Sequence, residues 1–393
     1  MACSGGATIT PSFPGDVDLL SPNLRMVRVA RGSLAYALRM PWGLGLTNEL
    51  LVTRALSDVV FLNLNLPEPT ANDPYGRVMY GTIGTTGAAT FKPRSPFSEV
   101  IDVRSAEGNH SYELTTRLET TRSAHASGSV SYTYSRARDI QTPTRVNTRG
   151  TVAWASARVS GGRQDDLTTG ISSNDLPHRV IITGTYVAPW SRARSEISFY
   201  YVGESGRPFT YIAYGALGRG DLNADGSNGN DPVYVPRSAL DTNEIRLSGF
   251  SDSVNADNSP AAQAARERAQ RTAFEDFVER TPCLRRQRGQ IMERNSCPEP
   301  WSNTTIASIR QSVPVGGHGM DVQLDVFNVL NLLNANWGRR REAAPALLEH
   351  IGQTAEPVES ARPIFRFDAA TPHLTTVANE SVFQLQLAVR YRF

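Results

Sequence analysis

The chain of 393 residues is long enough for two or three ordinary domains or for one large barrel. Its 40 Lys and Arg against 38 Asp and Glu leave a formal net charge of +2, without the basic surplus that a nucleic-acid-binding face needs. No apolar run approaches the roughly 18–20 residues of a membrane helix, and Val59-Val60-Phe61-Leu62 is broken at once by Asn63. Helical membrane proteins are excluded; barrels are not, because their strands alternate and raise no hydropathy peak.

Met1-Ala-Cys-Ser-Gly-Gly carries neither a charged n-region nor an apolar h-region, so no signal peptide is visible. Residues 1–30 read as an irregular segment, and Cys3 receives no role. Alternation then begins. Leu34, Tyr36, Leu38 and Met40 share one parity, opposed by Ala35, Ala37 and Arg39. Leu114 and Leu118 oppose Glu113, Arg117 and Glu119, and Val130, Tyr132 and Tyr134 oppose a run of Ser and Thr. Val322, Leu324 and Val326 alternate with Asp321, Gln323 and Asp325. Wherever charges occur, they fall on the non-apolar parity.

Short connections at Pro41-Trp42-Gly43, 122–125, 189–192 and 314–317 alternate with long ones, at about 55–109, 138–177, 205–302 and 331–380. Compact soluble domains seldom hold several long loops. Barrels in an outer membrane do, with tight periplasmic turns and long extracellular loops. Trp42 and Trp190 in short turns, with Trp301 before a strand, suit aromatic girdles. The predicted fold is all-β: an antiparallel transmembrane barrel segment of about nine or ten strands over 31–393. A soluble β-sandwich accounts for the alternation but not for the loop asymmetry.

Within the longest loop, Asp221-Leu-Asn223-Ala-Asp225-Gly226 opens like a calcium loop, with oxygen ligands at alternate positions and Gly at the sharp turn. Its twelfth position is Pro232 where an EF-hand needs a bidentate Glu, and Asp231 substitutes only in a rearranged loop. Two readings stand: a calcium site on Asp221, Asn223, Asp225 and Asp231, or a turn whose carboxylates satisfy its own backbone. No other cofactor is expected. Residues 260–280 read as a helix, with Ser259 as N-cap, Pro260 at the first helical position, and Phe274, Phe277 and Val278 on one stripe. Cys283 and Cys297 lie in the same loop, and an oxidising exterior favours a disulfide over two unlinked thiols. The six His residues show no metal-ligand spacing, and no catalytic set emerges, so the chain is not expected to be an enzyme.

The chain closes on Val382-Phe-Gln-Leu-Gln-Leu-Ala-Val-Arg-Tyr-Arg-Phe393, with Phe383, Leu385, Leu387, Val389, Tyr391 and Phe393 on one parity. This end resembles the last strand of bacterial outer-membrane proteins. That resemblance implies that these six residues form the signal read by the barrel-assembly machinery. Three further stretches, Arg294-Asn-Ser-Cys-Pro-Glu-Pro-Trp301, Leu324-Asp-Val-Phe-Asn-Val-Leu-Asn331 and Ile197-Ser-Phe-Tyr-Tyr-Val202, complete the pattern. Together they resemble the C-terminal barrel of TonB-dependent receptors, in the Oar-like group with a carboxypeptidase-regulatory-like N-terminal domain. The resemblance spans about residues 25–393. It implies an outer-membrane location, energised uptake of a ligand, contact with membrane lipid, and a TonB complex reached through an N-terminal part.

Receptors of that group carry a signal peptide, a TonB box, a plug and about 22 strands. This sequence shows none of the first three and fewer than half the strands, so it reads as the C-terminal portion of such a receptor, not functional alone. Its sheet is expected to stay open rather than close on itself. The alternative is a surface barrel without transport, an adhesin or matrix-interaction protein that works through its loops. Neither reading has nucleic acid as a partner.

Overall fold

The computed structural model describes residues 15–120, 124–142, 153–155, 167–188 and 193–393. Cys3 and the 189–192 turn with Trp190 lie outside them, as do residues 122 and 123 of another turn. The long strands are β1 (Val17–Leu20), β2 (Arg28–Met40), β3 (Leu44–Asn63), β4 (Val100–Ala106), β5 (His110–Thr120), β6 (Ala126–Asp139), β7 (His178–Ala188), β8 (Arg194–Glu204), β9 (Ser302–Val315), β10 (His318–Phe327) and β11 (Gln384–Arg392). From β2 onward they form an antiparallel meander in chain order, with β4 and β5 in line along the same edge of β3. Counted that way, the described residues supply nine strands across the sheet.

Register turns alternation into two faces. Leu34, Leu50, Leu114 and Tyr134 are successive cross-strand partners, and Val322–Val389, Leu324–Leu387 and Val326–Leu385 pair at the far edge. The opposite face pairs Glu49 with Thr115, Thr115 with Thr133, Glu196 with Arg310, and Asp321 with Arg390. Because the side-chain period is two, a slip of one residue in any strand would mix these faces. No described residue forms a layer over the apolar face: Leu34 stays 72% exposed and Leu387 69%. A band of that extent is untenable in water and is the surface that meets lipid. Two polar residues on it, Thr116 and Asn48, satisfy each other, the hydroxyl donating to the Asn Oδ1 at 2.8 Å.

The polar face is knitted by short contacts. Thr115 and Thr133 hydroxyls meet at 2.9 Å, as do those of Ser129 and Thr183. Asp321 receives Ser312 at 2.6 Å, Arg392 at 3.0 Å and Arg310 at 3.2 Å.

The turns fit their residues. Gly316 (φ 54°) and Gly317 (φ 87°) form the whole β9–β10 connection, since a two-residue hairpin of this twist needs φ > 0 twice. Pro314 and Val315, expected in that turn, belong to β9. Pro41–Gly43 is a single 3-10 turn that leaves Trp42 almost wholly exposed at the β2–β3 end.

Three boundaries differ from the sequence expectation. β3 runs on to Asn63, so the first long loop is 64–99; its last part buries Ser57 and Val60 and packs Phe61 against the cluster of Leu66, Tyr80, Ile101 and Trp154. Part of the segment expected to be irregular is ordered, β1 pairing in parallel with Val100–Val103 of β4 and β2 starting at Arg28. Phe383 precedes β11, its N–H donated to Asn331 Oδ1 at 3.2 Å, while Phe393 ends the chain beyond it. No pairing joins β11 to β2 among the described residues, and the sheet stays open.

Opposite the short turns, the long loops build a folded layer of their own. Helix α1 (Pro260–Arg280) starts on Ser259, whose side chain accepts from Ala262 N–H, and buries Phe274 and Val278. It packs near a four-stranded sheet of Ile212–Tyr214, Ala346–Gln353, Pro363–Arg366 and Arg246–Leu247. Leu222, Ile245, Leu284, Leu348, Phe365 and Phe367 share that core with the helix. A second cluster joins Leu66, Tyr80, Ile101 and Trp154. No helix among the described residues is long and apolar enough to cross a membrane.

Candidate functional site

The Asp221–Asp231 loop lies inside the loop layer, not on its surface. Asp221, Asn223, Asp225, Asn230 and Asp231 are all buried. Asp, Asn and Gly bend this segment by local hydrogen bonds. Asp221 accepts from the N–H of Asp225 (3.1 Å) and Gly226 (2.9 Å), and Asp225 Oδ1 from the N–H of Ser227 (2.7 Å). Asp225 Oδ2 receives the side-chain amides of Asn223 (3.1 Å) and Asn230 (3.3 Å). Gly226 has φ 89°, and a Cβ there would stand 2.8 Å from the Phe91 ring, so both the backbone and the space require glycine.

Asp231 faces another way. It takes Arg77 Nη1 at 2.8 Å and the N–H of Leu222 at 2.6 Å, while Arg77 Nη2 donates to Pro232 O at 2.5 Å. The expected four-residue calcium set is therefore drawn together in the fold, but its Asp231 is committed to a guanidinium. Among the described residues no three His, Cys, Asp or Glu side chains gather as a metal-holding group.

Electrostatically the loop is out of balance. Among the described residues these three buried carboxyls and Asp73 have one buried guanidinium beside them, Arg77, which pairs with Asp231 and Asp73. Burial, then repulsion by Asp225 and Asp231, pushes Asp221 up to about 9. Burial and Asp231 push Asp225 up to about 7. Asp231 is also raised by burial, with Arg77 pulling against it. Glu99 is pushed up to about 7 by burial and by Asp16, Asp225 and Asp18.

The loop is also a junction. Tyr80 donates its N–H to Asn223 O (2.8 Å), Ser227 donates its hydroxyl to Ala155 O (3.1 Å), and Ala213 donates its N–H to Asp231 O (3.0 Å). Three connections that leave the sheet at different strands thus meet on eleven residues.

The remaining site residues fall elsewhere. Cys283 and Cys297 are joined in a disulfide, with Cα atoms 5.2 Å apart, inside the larger core. Cys297 also sits in a strap from loop layer to membrane sheet. Upstream in it, Arg294 donates to Ile140 O and Asp139 Oδ1 (2.8 Å each), and Asn295 Nδ2 to Ile171 O (2.8 Å). Downstream, Glu299 accepts the N–H of Ala343 (3.0 Å). Leu385, Leu387, Val389 and Tyr391 lie along the apolar face of β11, with Phe383 and Phe393 just outside the strand. Arg77 and Asn230 were not foreseen from sequence. Arg77 has no local signal, whereas Asn230 lies in an Asp/Asn/Gly run rich in side-chain oxygens.

A continuous apolar face on nine meandering strands, a polar face behind it, tight turns at one end and a folded loop layer at the other define an outer-membrane β-barrel protein. The chain belongs to the outer membrane beta barrel domain family, which it matches over residues 2–346. Its place is the outer membrane. No curated protein and no solved structure matches it.

Proposed function

We propose that this chain forms part of the wall and the outer face of a TonB-dependent receptor of the Oar-like group, for energised uptake of a ligand caught by the loop layer. The observation that carries the reading is the open sheet. After nine strands, β2 and β11 each keep an edge without a partner among the described residues. Unpaired N–H and C=O groups in lipid cost several kcal/mol each, so a sheet of this kind is suited to a wider barrel with further strands. The charged inner face, with Glu49, Arg117, Glu196, Arg310 and Asp325, suits a hydrated passage rather than a packed small barrel.

In this reading, lipid is the partner of the apolar face, the barrel-assembly machinery reads the last strand, and a TonB complex acts through a plug-bearing N-terminal part. No catalytic role is proposed. The test is the in-frame coding sequence upstream of Met1, together with co-purification from outer membranes. A plug, a TonB box and recovery of the energising TonB protein support the reading. A short upstream leader without a plug, in a protein that supports attachment but no uptake, overturns it in favour of a surface adhesin.

A further inference from the structure

We infer that the Asp221–Asn230 segment is a calcium-binding site, held by the Asp221 and Asp225 carboxylates with amide oxygens of Asn223 and Asn230, and that the ion fastens three extracellular connections together. The inference does not depend on transport. Its first support is charge: even with Arg77 assigned to Asp231, the buried carboxylates of Asp221 and Asp225 pair with no cationic side chain among the described residues. An isolated buried carboxylate either takes up a proton or acquires a cation.

The second support is independent of charge. Asn230, 5% exposed, donates its Nδ2 to Asp225, while its Oδ1 is buried with no hydrogen-bond partner among the described residues. Rotating the amide does not remove the problem, because it would set a carbonyl oxygen against a carboxylate oxygen at 3.3 Å. Two oxygens at that spacing are tolerated when a cation or a proton lies between them. Asp, Asn, Asp and Asn thus supply hard oxygen donors of mixed charge, which calcium accepts in a flexible shell. Magnesium demands a stricter octahedron and suits such a set less well. Asp231, bound to Arg77, stays outside the set; its task is to hold the loop 64–99.

The experiment uses the full chain in detergent, stripped with EGTA and freed of lipopolysaccharide, titrated calorimetrically with CaCl2 and then with MgCl2. Thermal unfolding and protease digestion are followed in parallel. The expected result is one calcium per chain, magnesium at least tenfold weaker, a raised unfolding temperature and slower cleavage of the loop layer. Asp225→Asn should lose at least tenfold in calcium affinity and lose the thermal shift. Asn230→Ala should weaken binding without changing charge, whereas Asp231→Asn should retain it. Absence of heat and of any calcium-dependent shift in the unaltered chain overturns the site. Undiminished binding in Asp225→Asn does the same. If Asp225→Asn fails to fold, comparing the unaltered chain with Asn230→Ala decides.

Discussion

Arg77 and Asp231, 154 residues apart in sequence, meet at 2.8 Å with both side chains 1% exposed. The pair ties the first long loop to the acidic loop, and Asp73 stands on the other side of Arg77, 3.9 Å from its Nε. Breaking a buried pair from one side leaves a charge with no counterion, at a cost of about 3–5 kcal/mol. Arg77→Met should therefore destabilise the loop layer by that order, measured by urea unfolding of the folded chain. The Arg77→Met, Asp231→Leu double variant should recover much of the loss. Equal instability of the single and double variants would show that packing, not charge, holds this junction.

The Cys283–Cys297 disulfide closes a 14-residue separation within the main core of the loop layer. Loops of about that size gain roughly 3 kcal/mol from closure. Cys283→Ser with Cys297→Ser should lower loop-layer stability by about that amount and expose cleavage sites near α1. The far-ultraviolet circular dichroism of the long strands should be unchanged, because their pairing does not pass through this bond. Unchanged proteolysis after reduction would count against the assignment.

Leu387 and Ala388 test the two faces of β11. Leu387 pairs with Leu324 on the lipid face, and Ala388 pairs with Gln323 on the polar face. Leu387→Arg should cost roughly 2–4 kcal/mol if it lies near the bilayer midplane. Ala388→Arg should cost far less, since its charge meets water and polar neighbours. Folding into lipid vesicles, followed across a denaturant series, separates the two variants; equal costs would contradict the assignment of faces.

The acidic loop should make stability depend on pH when calcium is chelated. Asp221 and Asp225 are raised in the folded state to about 9 and about 7 from 3.8, so between those values the folded chain binds more protons than the unfolded one. Stability then falls as pH rises through that window. Glu99, raised to about 7, acts in the same direction. Buried His350, lowered by desolvation, opposes them below its ordinary range, where the unfolded chain takes the proton first. Unfolding of the loop layer at pH 5, 7 and 9 with EGTA should show stability falling from pH 5 to 7 and, through Asp221, further to pH 9; Asp225→Asn should reduce the fall below pH 7.

Much of the membrane part was legible because a strand writes its faces into alternate residues. Leu385, Leu387 and Val389 show the lipid side before any partner is known, and Gly316-Gly317 marks a tight turn. Ser259-Pro260 likewise marks the start of α1, since capping is a contact between near neighbours. The Asp221–Gly226 motif was visible for the same reason: its first hydrogen bonds are local.

What only the tertiary structure decided are contacts between distant segments. β3 looks like an ordinary strand, yet its last residues are buried, Phe61 against a cluster of loop residues, because burial depends on what stands opposite. Nothing around Arg77 announces Asp231, and nothing around Arg294 announces Asp139, 155 residues away. Alternation and caps are set by the geometry of a few adjacent peptides, so they can be read in a line of residues. Charge pairing and core formation depend on distances that exist only after the chain has folded.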